Sequence, residues 1–365
     1  MVRTNGPRGD AYMTTFITSR KSRTLLIRLM LIVSSLFVGG LMAEGLTRVF
    51  FPQLAPRTAQ LTKFWRHDLR YGWSHIPGIS GPFASHGINT FVTINSKGFR
   101  GPEIEYAHDQ KRRRALVLGD SYVWGYGVNE DEVFTELLRK AMPEVEIVNL
   151  GVSGYSTDQE LLLYRDEGHK YKADLVIIVV TENDPLGNLL TQQYVVYGKP
   201  AFQLKDGALV LINQPVPRTP LLKRAISQFA TRSYILTATN RHLYSKAISE
   251  SAAPVVQKKN GDGGSGKFPR TPEEEITARL LIELKREISA RQGDGKLLVV
   301  FTEDLTGSRE MAEYLAPFDI SSLDLEEYID ERDESFHLKN DFHWNAEGHK
   351  RVAEILAKHL GKFMK

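Results

Sequence analysis

Apolar positions are distributed along this chain in three regimes. The longest unbroken run is Thr24 to Ala43, TLLIRLMLIVSSLFVGGLMA. At ~1.5 Å per residue it reaches about 30 Å, the thickness of one bilayer core. It has no polar face, unlike a surface helix of a soluble fold. Arg28, one turn in, can extend its charge to the headgroups. Beyond it come short apolar runs of strand-forming residues, at 115–118, 145–150, 174–180 and 296–302. Helical patterns alternate with them, at Phe134–Met142, Gln159–Gly168 and 346–360. A short continuous apolar run reads as a strand buried on both faces. Strands alternating with helices predict an α/β fold, a parallel sheet covered by helices on both sides.

The third regime is irregular. Between 53 and 110, Phe64-Trp65, Tyr71-Gly72-Trp73 and Phe91-Val92-Thr93-Ile94 suggest short strands with an aromatic packing face. Core packing is the expected role of these aromatics, with sugar binding as the rival. Between about 185 and 270 a hairpin is expected over Tyr194–Ile212, turning at Lys205-Asp206-Gly207. An amphipathic helix is expected over Arg218–Ala247, and a glycine-rich loop over Ala252–Phe268. Thr271-Pro272-Glu273-Glu274 then starts a helix, with Thr271 as cap, Pro272 in the first turn and Glu274 closing a capping box. The resulting organisation is a cytoplasmic tail (1–23), a transmembrane helix (24–43), a linker and small β-rich accessory segment (44–110), and a main domain (111–365) with an insertion at about 185–270. The insertion is a candidate lid.

Charge changes the picture only at the N-terminus. Lys plus Arg is 47 and Asp plus Glu is 44, so the net charge of +3 gives no pull toward nucleic acid. Arg3, Arg8, Arg20, Lys21 and Arg23 precede the apolar run, while only Glu44 and Arg48 follow it closely. The positive-inside rule then places the N-terminus in the cytoplasm and the rest on the periplasmic or extracellular side. The rival is a signal peptide cut after Ala43, for which Leu41 is a poor residue. With no cysteine, thiol catalysis and thiolate metal sites are excluded.

The chemistry gathers at strand ends. Ala115-Leu116-Val117-Leu118-Gly119-Asp120-Ser121 is a strand ending in a tight turn. Ligands in open α/β sheets bind outside the carboxyl ends of strands, so Ser121 is a candidate nucleophile if a base reaches it. A helix N-cap is the structural alternative. The next strand ends in Asn149-Leu150-Gly151-Val152-Ser153-Gly154, the third in Thr181-Glu182-Asn183-Asp184, and near the C-terminus stands Asn340-Asp341-Phe342-His343-Trp344. These four blocks, in this order across 115–365, resemble the SGNH (GDSL-type) hydrolase family. The resemblance implies a flavodoxin-like three-layer α/β/α fold and no cofactor. It assigns Ser121 as nucleophile, His343 as base and Asp341 as its orienting partner. It also implies an oxyanion hole from the backbone N–H groups of Ser121 and Gly154 and the amide of Asn183.

Two departures matter. The family spacing is Asp-x-x-His; here it is Asp-x-His, similar to the Asp-x-His-Trp of the alginate O-acetyltransferase branch. Residues two apart in an extended segment share a side, which would make Asp341 and His343 neighbours, with Asp333 as fallback. Thr181 stands where the third block has Gly, which would narrow the pocket near Asn183. Asn95-Ser96-Lys97-Gly98-Phe99-Arg100-Gly101 reads as a turn into the main domain and resembles a stretch found in membrane-anchored members of the family. His337, His343 and His349 are six apart, not the three or four of a helical metal site, so no metal is expected. His349 is expected to start or cap the last helix, and Asp120 to hold its turn. The glycines at 119–127 lack a Walker lysine, which leaves nucleotide binding weak. The expected activity is that of a membrane-anchored serine esterase acting on ester or acylated-carbohydrate substrates such as acetylated envelope polysaccharide. The alternatives are an O-acetyltransferase with the same triad and a non-catalytic carbohydrate-binding or scaffold module.

Overall fold

The computed structural model describes residues 20–51, 61–85, 88–108, 111–194, 197–222, 224–225, 233–236, 268–303, 305–330, 332–339 and 341–363. Most of the expected 218–247 helix and the 252–268 loop lie outside them.

Five strands form the central sheet: β5 (Arg113–Leu118), β6 (Val145–Asn149), β7 (Leu175–Val180), β12 (Lys296–Phe301) and β13 (Ser321–Asp324). Their order is β13-β12-β7-β5-β6, and every pairing is parallel. In chain order this is 2-1-3-4-5, with the topological switch at β5 and β7. The pleat sorts the apolar runs between two faces. Val176, Ile178 and Val180 of β7 pack with helices α4 (Thr157–Asp166) and α6 (Pro272–Gln292). Leu175, Ile177 and Val179 pack with α3 (Phe134–Ala141) and α8 (Ala346–Phe363). Burial on both faces explains why these strands carry no polar alternation. The chain is therefore α/β with a parallel sheet, as its pattern predicts. The edge strand β13, SSLD, has too little apolar character to stand out in the sequence.

Helix starts follow their capping chemistry. Thr271 accepts from the Glu274 N–H at 3.2 Å and Glu274 returns to the Thr271 N–H, completing the expected box. Helix α4 begins at Thr157, two residues before the apolar pattern suggests, because Ser156 and Gln159 form a second box. At α8 the cap is Asn345, whose Oδ1 accepts from the N–H groups of Glu347 and Gly348. His349 does not cap this helix: it is buried one turn in, where its Nδ1 accepts from the Phe134 N–H at 3.3 Å.

Outside the sheet, β1 (Trp65–Asp68) pairs with β2 (Gly72–His75), and β3 (Ser80–Ser85) with β4 (Ile88–Thr93). Trp65, Trp73 and Phe83 are buried and belong to the same core cluster as α4 and α6. These aromatics pack, as the sequence pattern favours. In the insertion, β10 (Ala201–Lys205) and β11 (Ala208–Ile212) form the expected hairpin. Asp206 and Gly207 both have positive φ, as a type I′ turn requires. The first arm starts at Ala201 rather than near Val195; the short pair β8 (Gln192–Tyr194) and β9 (Tyr197–Gly198) precedes it. Helix α1 (Arg20–Phe50) contains the apolar run. From Ser22 to Phe50 it is long and apolar enough to cross a membrane, and none of it is buried in the fold. Its Glu44 carboxylate accepts from Ser233 Oγ (2.8 Å) and the Tyr234 N–H (2.9 Å), tying the insertion to this helix.

Candidate active site

Strand β5 ends at Leu118, and at Gly119, the next residue, a Cβ would sit 2.3 Å from Val123 Cγ2. Only glycine lets the chain fold back this tightly into the one-turn helix α2 (Ser121–Trp124). Asp120 caps α2, accepting from the Tyr122 N–H at 2.9 Å, so it does hold the turn. Burial pushes its carboxyl above the usual carboxylate range, against opposing hydrogen bonds from Tyr122, Asn183 and Thr181. Ser121, largely buried, lies at the carboxyl edge of the sheet beside the switch point.

The C-terminal loop closes on Ser121. Ser121 Oγ is 2.7 Å from His343 Nε2, and His343 Nδ1 is 2.6 Å from Asp341 Oδ1. With Nδ1–H donating to the carboxylate, Nε2 is left to accept the serine proton. Asp341 and His343 meet through a turn, not through strand alternation. The loop closes with the Leu338 N–H donating to His343 O (2.8 Å), and Asp341 Oδ1 also accepts the His343 N–H (3.1 Å). The short Asp-x-His spacing works because one carboxylate oxygen meets both the backbone and the ring of a residue two positions on. The fallback, Asp333, bonds Ser335 instead.

Three contacts fix this loop. Trp344 is fully buried and donates Nε1–H to Glu303 Oε1 at 2.7 Å. Glu303 also lies 2.8 Å from His337 Nε2. Tyr122, next to the serine, donates its hydroxyl to Phe342 O at 2.9 Å. The His343 ring packs against Tyr126 (4.4 Å) and Phe342 (5.0 Å), and Phe342 is exposed. The three histidines thus have separate surroundings. His343 joins Ser121 and Asp341, His337 joins Glu303, and burial pushes His349 down to about 3.

Gly154 and Asn183 occupy the neighbouring strand-end turns. Gly154 has φ +81°, a left-handed conformation that side chains disfavour. The Gly151 N–H donates to Asn149 Oδ1 at 2.8 Å, so that earlier glycine is occupied. Asn183 begins α5 (Asn183–Gly187) just beyond β7. Thr181 is fully buried and turns inward, with Oγ1 2.6 Å from Asn183 Oδ1.

Two buried charged residues beside the site, Arg100 and Glu303, stand out only in the structure. Glu303 lies just past β12, at the carboxyl end where the sheet's ligand edge runs, and that position was its signal. The buried guanidinium of Arg100 reaches under α2 to the carbonyls of Trp124 (3.1 Å), Gly125 (2.5 Å) and Val128 (2.8 Å) and to Glu130 (3.0 Å). An arginine between Phe and Gly in a turn gave no hint of that reach.

A profile of the GDSL-like lipase/acylhydrolase family matches residues 117–351, well over half of the chain. No curated protein matches it. Among solved structures, similarity extends to the psychrotrophic esterase EstA from Pseudoalteromonas sp. (11% identity, 69% of this chain and 98% of that one, TM-score 0.40). It extends also to a putative lipolytic G-D-S-L protein from Desulfitobacterium hafniense (14%, 68% and 99%, TM-score 0.35). A G-D-S-L lipolytic protein from Veillonella parvula is similar at 13% identity, covering 68% of this chain and 99% of its own, TM-score 0.38. With its profile match running from β5 into the last helix, the chain belongs to the GDSL-like lipase/acylhydrolase family.

Proposed function

We propose that the chain is a membrane-anchored serine esterase working outside the cytoplasm, with Ser121, His343 and Asp341 as its triad. The observation that carries this reading is the hydrogen-bonded line from Ser121 Oγ through His343 to Asp341, at 2.7 and 2.6 Å. A serine hydroxyl becomes nucleophilic when a base takes its proton as it attacks. His343 Nε2 is in place to take that proton, and Asp341 stabilises the imidazolium that results. The carbonyl oxygen of the ester becomes an oxyanion, held by the N–H groups of Ser121 and Gly154 and the Asn183 amide. His343 then gives its proton to the departing alcohol oxygen, leaving an acyl group on Ser121. Water, deprotonated by the same histidine, releases the acid and restores the serine. A sugar hydroxyl in place of water would make the reaction an O-acyl transfer.

The apolar α1, preceded by basic residues and followed by few, supports an uncleaved anchor with the sheet domain on the outer side. That location and the exposed Phe342 ring beside the triad favour acetylated envelope polysaccharide as substrate. The test is p-nitrophenyl acetate hydrolysis by the full chain in detergent and in sedimented membranes, with and without a candidate glycan. Ser121→Ala should remove turnover by about 10³ or more. Acetate appearing on the glycan only when it is added would assign transfer rather than hydrolysis. Equal rates for parent and Ser121→Ala would end the serine reading and leave a binding module.

A further inference from the structure

Thr181 is the residue at which this chain departs from its family's third block, and its hydroxyl meets the candidate oxyanion residue. Its Oγ1 lies 2.6 Å from Asn183 Oδ1, 3.2 Å from Asp184 Oδ2 and 3.3 Å from Asp120 Oδ2. A threonine hydroxyl has one proton to give. Three acceptor oxygens compete for it, and the shortest contact is to the Asn183 amide oxygen. The same amide favours the ionised form of the buried Asp120 carboxylate, so its NH2 end and not its oxygen faces that side. Turning the amide over would point its oxygen at that carboxylate, acceptor against acceptor, while losing the threonine proton. The Asp184 side chain fixes the threonine in turn, because Asp184 Oδ2 accepts the Thr181 N–H at 2.8 Å and closes the turn. Burial pushes the Asp184 carboxyl well up.

We propose that Thr181 is a positioning residue for catalysis: its hydroxyl locks the Asn183 amide with the oxygen inward, leaving the Nδ2 end presented to the substrate oxyanion. A glycine at this position offers no hydroxyl to select the amide orientation. The threonine therefore preorganises a donor that would otherwise have to be ordered during the reaction, and preorganisation is what gives an oxyanion donor its value. This rests on Asn183 serving the oxyanion, as argued above.

The experiment is a double-mutant cycle on the full chain in detergent, followed by p-nitrophenyl acetate kinetics and thermal melting. Losing a whole oxyanion donor costs about 10² to 10³ in kcat, so Thr181→Val, which only frees the amide to turn, should cost about 10 to 10² with KM little changed. Thr181→Ser keeps the hydroxyl and should restore kcat to within about threefold of the parent. On an Asn183→Ala background, Thr181→Val should add almost nothing, since no amide remains to be oriented. Should the valine variant fail to fold, Thr181→Ala carries the same expectations. A loss of kcat that is equally large with and without Asn183 would overturn the proposal, as would an unchanged kcat in Thr181→Val. An Asn183→Ala enzyme as fast as the parent would remove the oxyanion reading itself. A slow Asn183→Ala beside a fast Thr181→Val would remove the positioning role alone.

Discussion

Replacing Arg100 by alanine tests how the segment before the sheet supports the site. Arg100 is 2% exposed, and its guanidinium gives hydrogen bonds to three backbone carbonyls and one carboxylate, all at or just after the C-terminal end of α2. Its charge also lies 5.2 Å over the Trp124 ring. Truncation leaves Trp124 O, Gly125 O and Val128 O with no donor from this side chain, while Glu130, at 35% exposure, is partly rehydrated. An unsatisfied buried acceptor costs about 1–3 kcal/mol, and water entering the vacated volume recovers part of that. A net loss of about 3–5 kcal/mol follows, the size seen when one partner of a buried pair is removed. At about 2–4 °C per kcal/mol for a domain of this size, the melting temperature should fall by about 6–20 °C. Arg100→Lys should recover less than half of this, because a single ammonium cannot reach along a fork to four acceptors. Well below the variant's own melting point, kcat should still fall on the order of tenfold, since Ser121 rides on the helix whose end is released. Melting within about 2 °C of the parent, with kcat unchanged, would refute the brace and with it the reason given for burying an arginine there.

Two further outcomes are expected. Asp341→Asn keeps an oxygen for the His343 N–H but no longer stabilises an imidazolium; kcat on p-nitrophenyl acetate should fall by about 10³ to 10⁴ with the melting temperature nearly unchanged. Stability should also fall as pH drops below the ordinary histidine value of 6.5, because burial pushes His75 down to about 4 and His349 to about 3. The unfolded chain takes up those protons first, so stability rises with pH across this window and is fully present above it. Taken at ~1.4 kcal/mol per pH unit, His349 accounts for about 5 kcal/mol and His75 for about 3 kcal/mol by the foot of the window. Denaturant titrations between pH 7 and 4 should show this slope, and His349→Gln should flatten it; an equal slope in the variant would sink the assignment.

What the sequence revealed depended on how local the signal was. The strands β5, β7 and β12 are continuous apolar runs because both their faces are covered, and that is visible without any knowledge of neighbours. The Thr271 capping box and the Asp206-Gly207 turn are equally local. The candidate triad was legible because the short blocks at 119–121 and 340–344 resemble those of the family. The joining geometry was not. Asp341 meets His343 through a turn closed by Leu338 and His343, and the turn's shape is held by Trp344 on Glu303, a residue 41 positions away. Tertiary partners of that kind leave no periodicity to read.

The accessory segment supports the candidate site through long-range contacts. Arg100 grips the end of α2, and Trp73, from the hairpin before it, donates Nε1–H to Ser153 O at 3.2 Å. Tyr155 answers with its hydroxyl on Trp73 O at 2.6 Å, so Gly154 sits between two residues held by one tryptophan. Two of the three turns that surround the candidate oxyanion site are thus pinned from outside the sheet. The third, at Asn183, is pinned from within by Thr181 and Asp184. A site whose donors must be in place before charge develops needs rigid turns, and turns on the edge of a sheet are its least supported parts. The residues that precede β5 in the chain supply that support, which is a physical reason for the aromatic-rich segment to be folded into the same core as the sheet rather than tethered beside it.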